Sequence, residues 1–200
     1  MFGMTVLAAS GDYGSSCGQP GGRAHVLYPT SDPWVTSVGG TQIGNVSGSS
    51  FTEDTWTNFG VTGGGISDIF ALPRWQRHAH VPVSGNPGGH HGRGVPDIAG
   101  YADGYDIVLG GATVAGVGGT SEAAPLYAGL VAILNARLRR RVGYLNPTFY
   151  RHHRAIFRDV DDGASNATFG APGYISGSGW DACTGWGSIK GTAFLRVLRR

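Results

Sequence analysis

The serine in the segment GGTSEAAP, residues 118–125, stands where a nucleophile could act. Ser121 follows small residues and precedes an apolar run with helical spacing. The start of a helix gathers unpaired N–H groups and partial positive charge, which stabilise an oxygen that becomes negative during a reaction. Serine is also one of the preferred residues at a helix N-cap. The segment alone therefore leaves two interpretations open, a nucleophile and a cap.

A second candidate for chemistry is Asp12, in the segment ASGDYGSS at residues 9–16. It closely follows a short continuous apolar run at residues 5–9, which is typical of a buried parallel strand. Hydrolysis by a serine needs a base and a group that stabilises the oxyanion. An aspartate in a glycine-rich loop is a candidate for such a role, although it also serves as an ordinary loop cap.

The sequence predicts the main helix and the strands that would position these residues. The strongest helix is predicted at residues 121–138, with Pro125 in its first turn. Its apolar face is formed by residues at i, i+4, i+7 and i+8, which are Leu126, Leu130, Ile133 and Leu134. A strand is predicted at residues 34–38, ended by a Gly-Gly-Thr segment. A polar surface excursion at residues 45–58 follows, and a short element begins at residue 146.

Composition narrows the class of protein. The chain has 36 glycines and 10 prolines in 200 residues, which favours a loop-rich α/β or β-rich protein over a helical bundle. The net charge is +2, and the basic run at residues 137–141 follows an apolar helix as a C-terminal cap, so nucleic acid is not indicated. No apolar run approaches the ~20 residues that span a membrane. Cys17 and Cys183 either form a disulfide or remain two small buried residues.

Seven segments carry a resemblance to a known family. In chain order they are GMTVLAASGDYGSS, YPTSDPWVTSVGGT, GGGISDIFALPRWQ, GRGVPDIAGYAD, GGTSEAAPLYAGLVAILN, YLNPTFY and SGSGWDACTGWGS. In order and spacing the chain resembles the sedolisins, serine-carboxyl peptidases of the kumamolisin-like type. Subtilisin-like peptidases share the Gly-Thr-Ser-x-x-x-Pro pattern. They differ in having asparagine where this chain has Asp12 and in taking their base from a His-Gly-Thr segment, which this chain lacks.

The resemblance implies a subtilisin-like α/β fold with a parallel sheet flanked by helices, incomplete at its N-terminal side. It implies that Ser121 is the nucleophile and Asp12 the acid of the oxyanion hole in an extracellular endopeptidase. Such an enzyme would cleave peptides or proteins through an acyl-enzyme at acidic pH. In this family the base is a glutamate oriented by an aspartate, both upstream of the oxyanion acid. Neither Glu53 nor Glu122, the two glutamates of the chain, matches that position.

The absence of a glutamate at the position of the base determines the expected domain organisation. Residues 1–200 are expected to be the C-terminal portion of a sedolisin catalytic domain, without its base pair and inactive alone. The partner would be the missing N-terminal part of the domain, which would otherwise leave the strand at residues 5–9 as an unpaired edge. The alternative is a non-catalytic remnant, or a fragment that binds calcium or peptides.

Calcium is the cofactor that the resemblance implies, and it would bind in the C-terminal loop region at about residues 157–187. The ligands would be the carboxylates of Asp159 and Asp181 and the carbonyls of Val160, Gly177 and Gly179. The alternative metal site is a zinc site formed by His90 with His91 or by His78 with His80. Adjacent histidines on a strand face opposite ways, and no further ligand is suitably spaced. Asp97, in GRGVPDIAGYAD, lies near the substrate region or caps a turn.

Overall fold

The computed structural model describes residues 3–199 and has an α/β architecture. The strands are β1 (Leu7–Ala9), β2 (Thr36–Ser47), β3 (Ser50–Thr55), β4 (Gly65–Ala71), β5 (Gly92–Val95), β6 (Ile98–Tyr101), β7 (Tyr105–Leu109), β8 (Ala112–Val117), β9 (Phe157–Arg158) and β10 (Ser188–Ile189). The helices are α1 (Thr120–Leu138), α2 (Asn146–Ile156) and α3 (Gly191–Leu198), with short 3-10 turns at Gly14–Ser16 and Arg74–Gln76.

The main sheet is organised around β2. This strand pairs in parallel with β1, where Leu7 lies opposite Thr36, and with β6, where Val38 lies opposite Ile98. Its outer half pairs antiparallel with β3, so the sheet is mixed rather than wholly parallel. Among the residues that the structure describes, β1 pairs only with β2 and forms one edge of the sheet.

The prediction that two glycines end the second strand is wrong. Gly39 and Gly40 lie inside β2, and the expected surface excursion at residues 45–58 contains the last three residues of β2 and all of β3. Close packing explains the glycines, because a Cβ at residue 39 would lie 2.8 Å from Pro96 and one at residue 40 would lie 2.9 Å from Ala102. Small residues are therefore required inside this strand, where sequence alone suggests a turn.

Helix α1 forms as predicted but packs through a different face. It lies against β1 and β6, and its buried side chains are Thr120, Ala123, Ala124, Tyr127, Val131 and Leu134. Leu126 and Ile133 of the expected face are 48% and 60% exposed. The helix is apolar on nearly every side, so spacing could not choose between faces. The Tyr127 hydroxyl fixes the choice by donating to the carbonyl of Ala99 at 2.6 Å.

The place of Pro125 also differs from the prediction. It is the sixth residue of α1 rather than part of the first turn, because the helix begins at Thr120. A proline there cannot donate to the carbonyl four residues earlier, which belongs to Ser121. The backbone carbonyl of Ser121 therefore receives no helical hydrogen bond from residue 125.

Helices α2 and α3 close the other side of the core. Phe149 of α2 contacts Phe157 and Phe194 with ring centroids 5.4 and 5.2 Å apart. The loops between α2 and α3 contain the expected calcium region. Within residues 3–199, no helix combines the length and the apolar character that crossing a membrane requires.

Candidate active site

Ser121 occupies the second position of α1 and is exposed. The residue at the N-cap is Gly119, which has no side chain with which to cap the helix start. The interpretation of Ser121 as an N-cap is therefore wrong, because the helix begins one residue before it. The hydroxyl is instead free to face the space in front of the helix, where the unpaired N–H groups of the first turn lie.

Asp12 follows β1 and contacts the start of the same helix. Its Oδ1 accepts two hydrogen bonds from Thr120, one from the backbone N–H and one from the hydroxyl, each 2.8 Å long. The Thr120 hydroxyl oxygen in turn accepts from the N–H of Gly11 at 3.0 Å. One carboxyl oxygen of Asp12 is thus fixed by the helix, and a proton on this group would reside on Oδ2.

The backbone at Gly119 brings Asp12 and Ser121 together. Gly119 has φ +143, and a Cβ built there would lie 2.9 Å from Asp12 Oδ2 and 3.1 Å from the Ser121 hydroxyl oxygen. The two oxygens therefore border one small space, which any side chain larger than hydrogen would fill. A carbonyl group that enters this space could contact both the hydroxyl and the carboxyl.

Sequence reasoning missed Thr120, which it treated only as one of several small residues. Thr120 is fully buried and connects the loop after β1 to the helix through its bonds to Gly11 and Asp12. A threonine directly before a candidate nucleophile was visible in the sequence, but its partner Asp12 lies 108 residues away. Only the fold could identify that contact.

The two glutamates of the chain lie in different surroundings. Glu53 accepts hydrogen bonds from the hydroxyls of Thr41 and Ser188. Glu122 directly follows Ser121, and burial together with the charge of Asp12 raises its pKa above the usual value. Its Oε2 is buried without a hydrogen-bond partner among the described residues. Among residues 3–199, no hydrogen bond joins either glutamate to Ser121.

The expected calcium ligands lie in adjoining loops. Asp159 Oδ2 accepts from the N–H of Gly179 at 2.7 Å, and Asp181 Oδ2 accepts from the N–H of Gly177 at 3.1 Å. The carbonyl of Val160 accepts from the Ser176 hydroxyl at 2.7 Å. The structure therefore brings the loops of all five predicted ligands together.

The donor chemistry of this region fits a hard cation. Burial raises the pKa of Asp181 to about 6, although hydrogen bonds from backbone N–H groups and from the Thr184 hydroxyl lower it, and no described cationic side chain supplies a compensating positive charge through an ion pair. A bound divalent cation would supply that charge. Within residues 3–199, no three histidine, cysteine, aspartate or glutamate side chains come together as metal ligands. A site here would thus rely on backbone carbonyls beside its two carboxylates, and the zinc alternative gains no support.

Two further expectations from the sequence are resolved by the structure. Cys17 and Cys183 are free thiols and do not form a disulfide. Asp97 does not cap an exposed turn, because it is fully buried and forms an ion pair of 2.6 Å with the equally buried Arg93. It also accepts from the Tyr150 hydroxyl and the N–H of Ser37, each at 2.8 Å.

The fold and the site together define a class of protein. A sheet with parallel strands supports a helix whose start presents a serine beside an acid from the neighbouring strand end, which is the subtilisin-like α/β arrangement. No protein-family model matches the chain. Comparison with individual proteins narrows the class further.

The chain is similar to kumamolisin of Bacillus sp. (strain MN-32), with 47% identity over 203 residues that cover 98% of this chain and 37% of kumamolisin. It is 35% identical to tripeptidyl-peptidase 1 of Bos taurus, again over 98% of this chain and 37% of the relative. Among solved structures, Pseudomonas sedolisin in complex with two molecules of pseudo-iodotyrostatin superposes with a TM-score of 0.83 at 32% identity. That match covers 98% of this chain and 56% of the sedolisin chain.

Over nearly its whole length the chain is therefore similar to the kumamolisin-like sedolisins, both in sequence and in fold. It spans a little over a third of the length of the curated relatives that it matches.

Proposed function

We propose that residues 1–200 are the nucleophile-bearing, C-terminal portion of a sedolisin-type serine endopeptidase domain that hydrolyses peptides or proteins at acidic pH. The observation that carries the proposal is the shared space between the Ser121 hydroxyl and Asp12 Oδ2 at the start of α1. The names of the similar proteins, which include a serine-carboxyl proteinase and a tripeptidyl-peptidase, support the same reaction class. The family resemblance further supports an extracellular location.

The proposed reaction has two stages. The Ser121 oxygen attacks the carbonyl carbon of the substrate and loses its proton to a base, while the carbonyl oxygen becomes an oxyanion. Asp12, protonated on Oδ2, donates a hydrogen bond to that oxyanion, with help from the N–H groups at the start of α1. The amine leaves with a proton from the base, and water then hydrolyses the acyl-serine. Acidic pH favours this mechanism, because only a protonated carboxyl group can donate a hydrogen bond to the oxyanion.

The base is proposed to come from a further part of the protein, as the glutamate and aspartate of this family do. Two surfaces of the described residues support docking of such a part. Leu126 and Ile133 on α1 are largely exposed although the helix is apolar, and the unpaired edge of β1 is preceded by exposed Met4 and Val6. Residues 1–200 alone are therefore expected to have almost no peptidase activity, because loss of a catalytic base costs orders of magnitude in rate.

Substitution of Asp12 tests the oxyanion role. We expect Asp12→Ala in the complete protein to lower kcat by about 10²–10³-fold, the usual effect of removing one oxyanion donor. Asp12→Asn should keep the bonds from Thr120 through its amide oxygen and donate through its amide nitrogen at every pH. Its activity should therefore extend to higher pH than that of the wild type, as measured by kcat from about pH 3 to pH 8.

Asp106→Asn is the control for this experiment, because Asp106 is an exposed residue of β7. Its pH profile should match that of the wild type. An Asp12→Asn profile that keeps the wild-type shape, or an Asp12→Ala protein with wild-type kcat, would count against the oxyanion role.

A non-catalytic function remains the second candidate, because no hydrogen bond among the described residues links a base to Ser121. In that case the complete protein would bind peptides or calcium without cleaving peptide bonds. Peptide hydrolysis by the complete protein that is lost on substitution of Ser121 by alanine would support the peptidase and contradict the non-catalytic function.

We also propose that the region at about residues 157–187 binds Ca²⁺ through Asp159, Val160, Gly177, Gly179 and Asp181. The support is the proximity of two carboxylates to loops with accessible carbonyls. Calcium there would neutralise the buried charge of Asp181 and tie the two loops together. Its role would be structural, since it takes no part in the proposed reaction.

Removal of calcium is expected to lower thermal stability. At a free concentration 100 times Kd, bound calcium adds about 2.7 kcal/mol, or about 5–10 °C in Tm for a domain of this size. A chelator should therefore lower Tm by that amount, and Asp181→Asn should abolish the response. Asp161→Asn, at an exposed neighbouring position, is the control and should respond like the wild type. A melting curve that a chelator leaves unchanged would contradict the site.

A further inference from the structure

Charge is distributed very unevenly along the chain. Residues 123–158 and 182–200 contain eleven of its fifteen lysines and arginines and none of its thirteen aspartates and glutamates. These two segments include helices α2 and α3 and all of α1 except its first three residues. The small net charge of +2 therefore combines a strongly basic helical part with an acidic remainder.

The ends of α1 and α3 bring five exposed arginines together. We call this group the basic surface, and it consists of Arg137, Arg139, Arg140, Arg196 and Arg199. The two helix ends adjoin, because Nη2 of Arg140 donates to the carbonyl of Leu198 at 2.6 Å. Ser121 lies near the other end of α1, about 24 Å from Arg137 along the helix axis. The basic surface is therefore separate from the candidate active site.

Helix capping explains only part of this arrangement. Cations near the end of a helix interact favourably with its partial negative charge, and Arg140 satisfies a carbonyl of α3 in this way. Capping does not require that acidic residues be absent from both segments. Among the described residues, the arginines in ion pairs are Arg23, Arg93 and Arg158, and none of these belongs to the basic surface. Neighbouring cations repel one another, and a bound anion would offset that repulsion.

The side chains in these segments favour one kind of polyanion. Every cation of the basic surface is an arginine, whose guanidinium group can bind a sulfate or phosphate group through two hydrogen bonds. Within residues 134–158 and 182–199, no large apolar side chain is strongly exposed, whereas a helix that lies on a bilayer buries an apolar face in it. The same residues expose no phenylalanine, tyrosine or tryptophan on which a nucleic acid base could stack. These features favour a flexible anionic polysaccharide over a membrane or a nucleic acid.

We infer that the basic surface binds a linear sulfated polysaccharide. Sulfate groups along one flexible chain would pair with the arginines of both helix ends. A guanidinium group stays protonated at all ordinary pH values, and a sulfate ester stays ionised at acidic pH, so the pairing persists where carboxylates become neutral. Binding at this end of α1 would hold the protein on the polymer and leave Ser121 at the opposite end open to a substrate.

Titration of the complete protein with heparin, a sulfated polysaccharide, tests this inference without any measure of peptidase activity. Saturable binding is expected in acidic and in neutral buffer. Hyaluronate, a linear polysaccharide with carboxylates and no sulfate, should bind at least about tenfold more weakly. Salt at about 1 M, where the Debye length is about 3 Å, should abolish the binding of heparin.

Substitutions locate the binding on the protein. A triple variant with Arg137→Gln, Arg196→Gln and Arg199→Gln removes three charges, and its affinity for heparin should fall at least about tenfold. Glutamine has a helix propensity close to that of arginine, so the fold should be retained. The matched control replaces three exposed arginines outside the basic segments by glutamine, namely Arg23, Arg74 and Arg77. Its affinity should stay within about twofold of the wild type.

Chemical footprinting of the wild-type protein does not depend on these variants. Phenylglyoxal modifies exposed arginines, and heparin should protect Arg137, Arg139, Arg196 and Arg199 but not Arg23, as read by peptide mass spectrometry. The inference would be overturned by absence of saturable heparin binding, by wild-type affinity in the folded triple variant, or by equal protection of all five arginines. Tighter binding of phosphatidylglycerol vesicles or of duplex DNA than of heparin would also overturn it, and would assign the basic surface to a membrane or to nucleic acid.

Discussion

Ser121→Ala is expected to lower kcat of the complete protein by about 10⁶-fold, a far greater loss than Asp12→Ala should cause. The hydroxyl oxygen is the only protein atom in the proposed mechanism that forms a covalent bond with the substrate carbonyl carbon. Its removal leaves the oxyanion donors in place, so only the residual rate that they provide should remain. Substrate binding should change little, because the substitution removes one oxygen from an exposed position.

The measurement has two parts. Peptide hydrolysis at acidic pH gives kcat, and mass spectrometry after rapid acid quench shows whether an acyl group is attached to Ser121. Ser50→Ala, at an exposed serine of β3, serves as the control and should retain wild-type kcat. If Ser121→Ala kept more than about a tenth of the activity, the nucleophile would have to be another residue.

Asp97→Asn is expected to destabilise the fold by about 3–5 kcal/mol. The substitution leaves the charge of Arg93 buried without its partner, in a position where both side chains are 0% exposed. Uncompensated buried charge is among the costliest single changes in a protein. The loss corresponds to a fall in Tm of about 6–20 °C for a domain of this size.

An exposed ion pair provides the control. Arg23 lies 3.9 Å from Asp68 at the surface, and Arg23→Gln should cost less than about 1 kcal/mol. Urea unfolding of the two variants beside the wild type measures the difference. A cost for Asp97→Asn as small as that of Arg23→Gln would mean that the buried pair contributes nothing to stability.

The sequence predicted the active-site elements because their local signals are strong. A long apolar segment bounded by glycines and arginines indicated α1, and a short apolar run before Ser-Gly-Asp indicated β1. The subtilisin-like α/β class followed from the sedolisin resemblance and is confirmed. The roles of Ser121 and Asp12 and the calcium ligands stay predictions, although the structure brings each set of residues together.

Long-range contacts account for what the sequence could not predict. The glycine pair in β2 resembled a strand end, since nothing in its neighbourhood showed how closely Pro96 and Ala102 approach. Arg93 and Asp97 are charged residues four apart in the sequence, and no local pattern indicated that both are completely buried. The hydroxyl of Thr120 has partners more than 100 residues distant, and no local pattern reports such a contact.

The bonds made by Thr120 have a consequence for how the site responds to its substrate. Because they join the loop of Gly11 and Asp12 to the first turn of α1, these two pieces of backbone must move together as one rigid unit. The geometry between acid and hydroxyl is therefore set before any substrate arrives, and little reorganisation energy is needed when charge develops on the carbonyl.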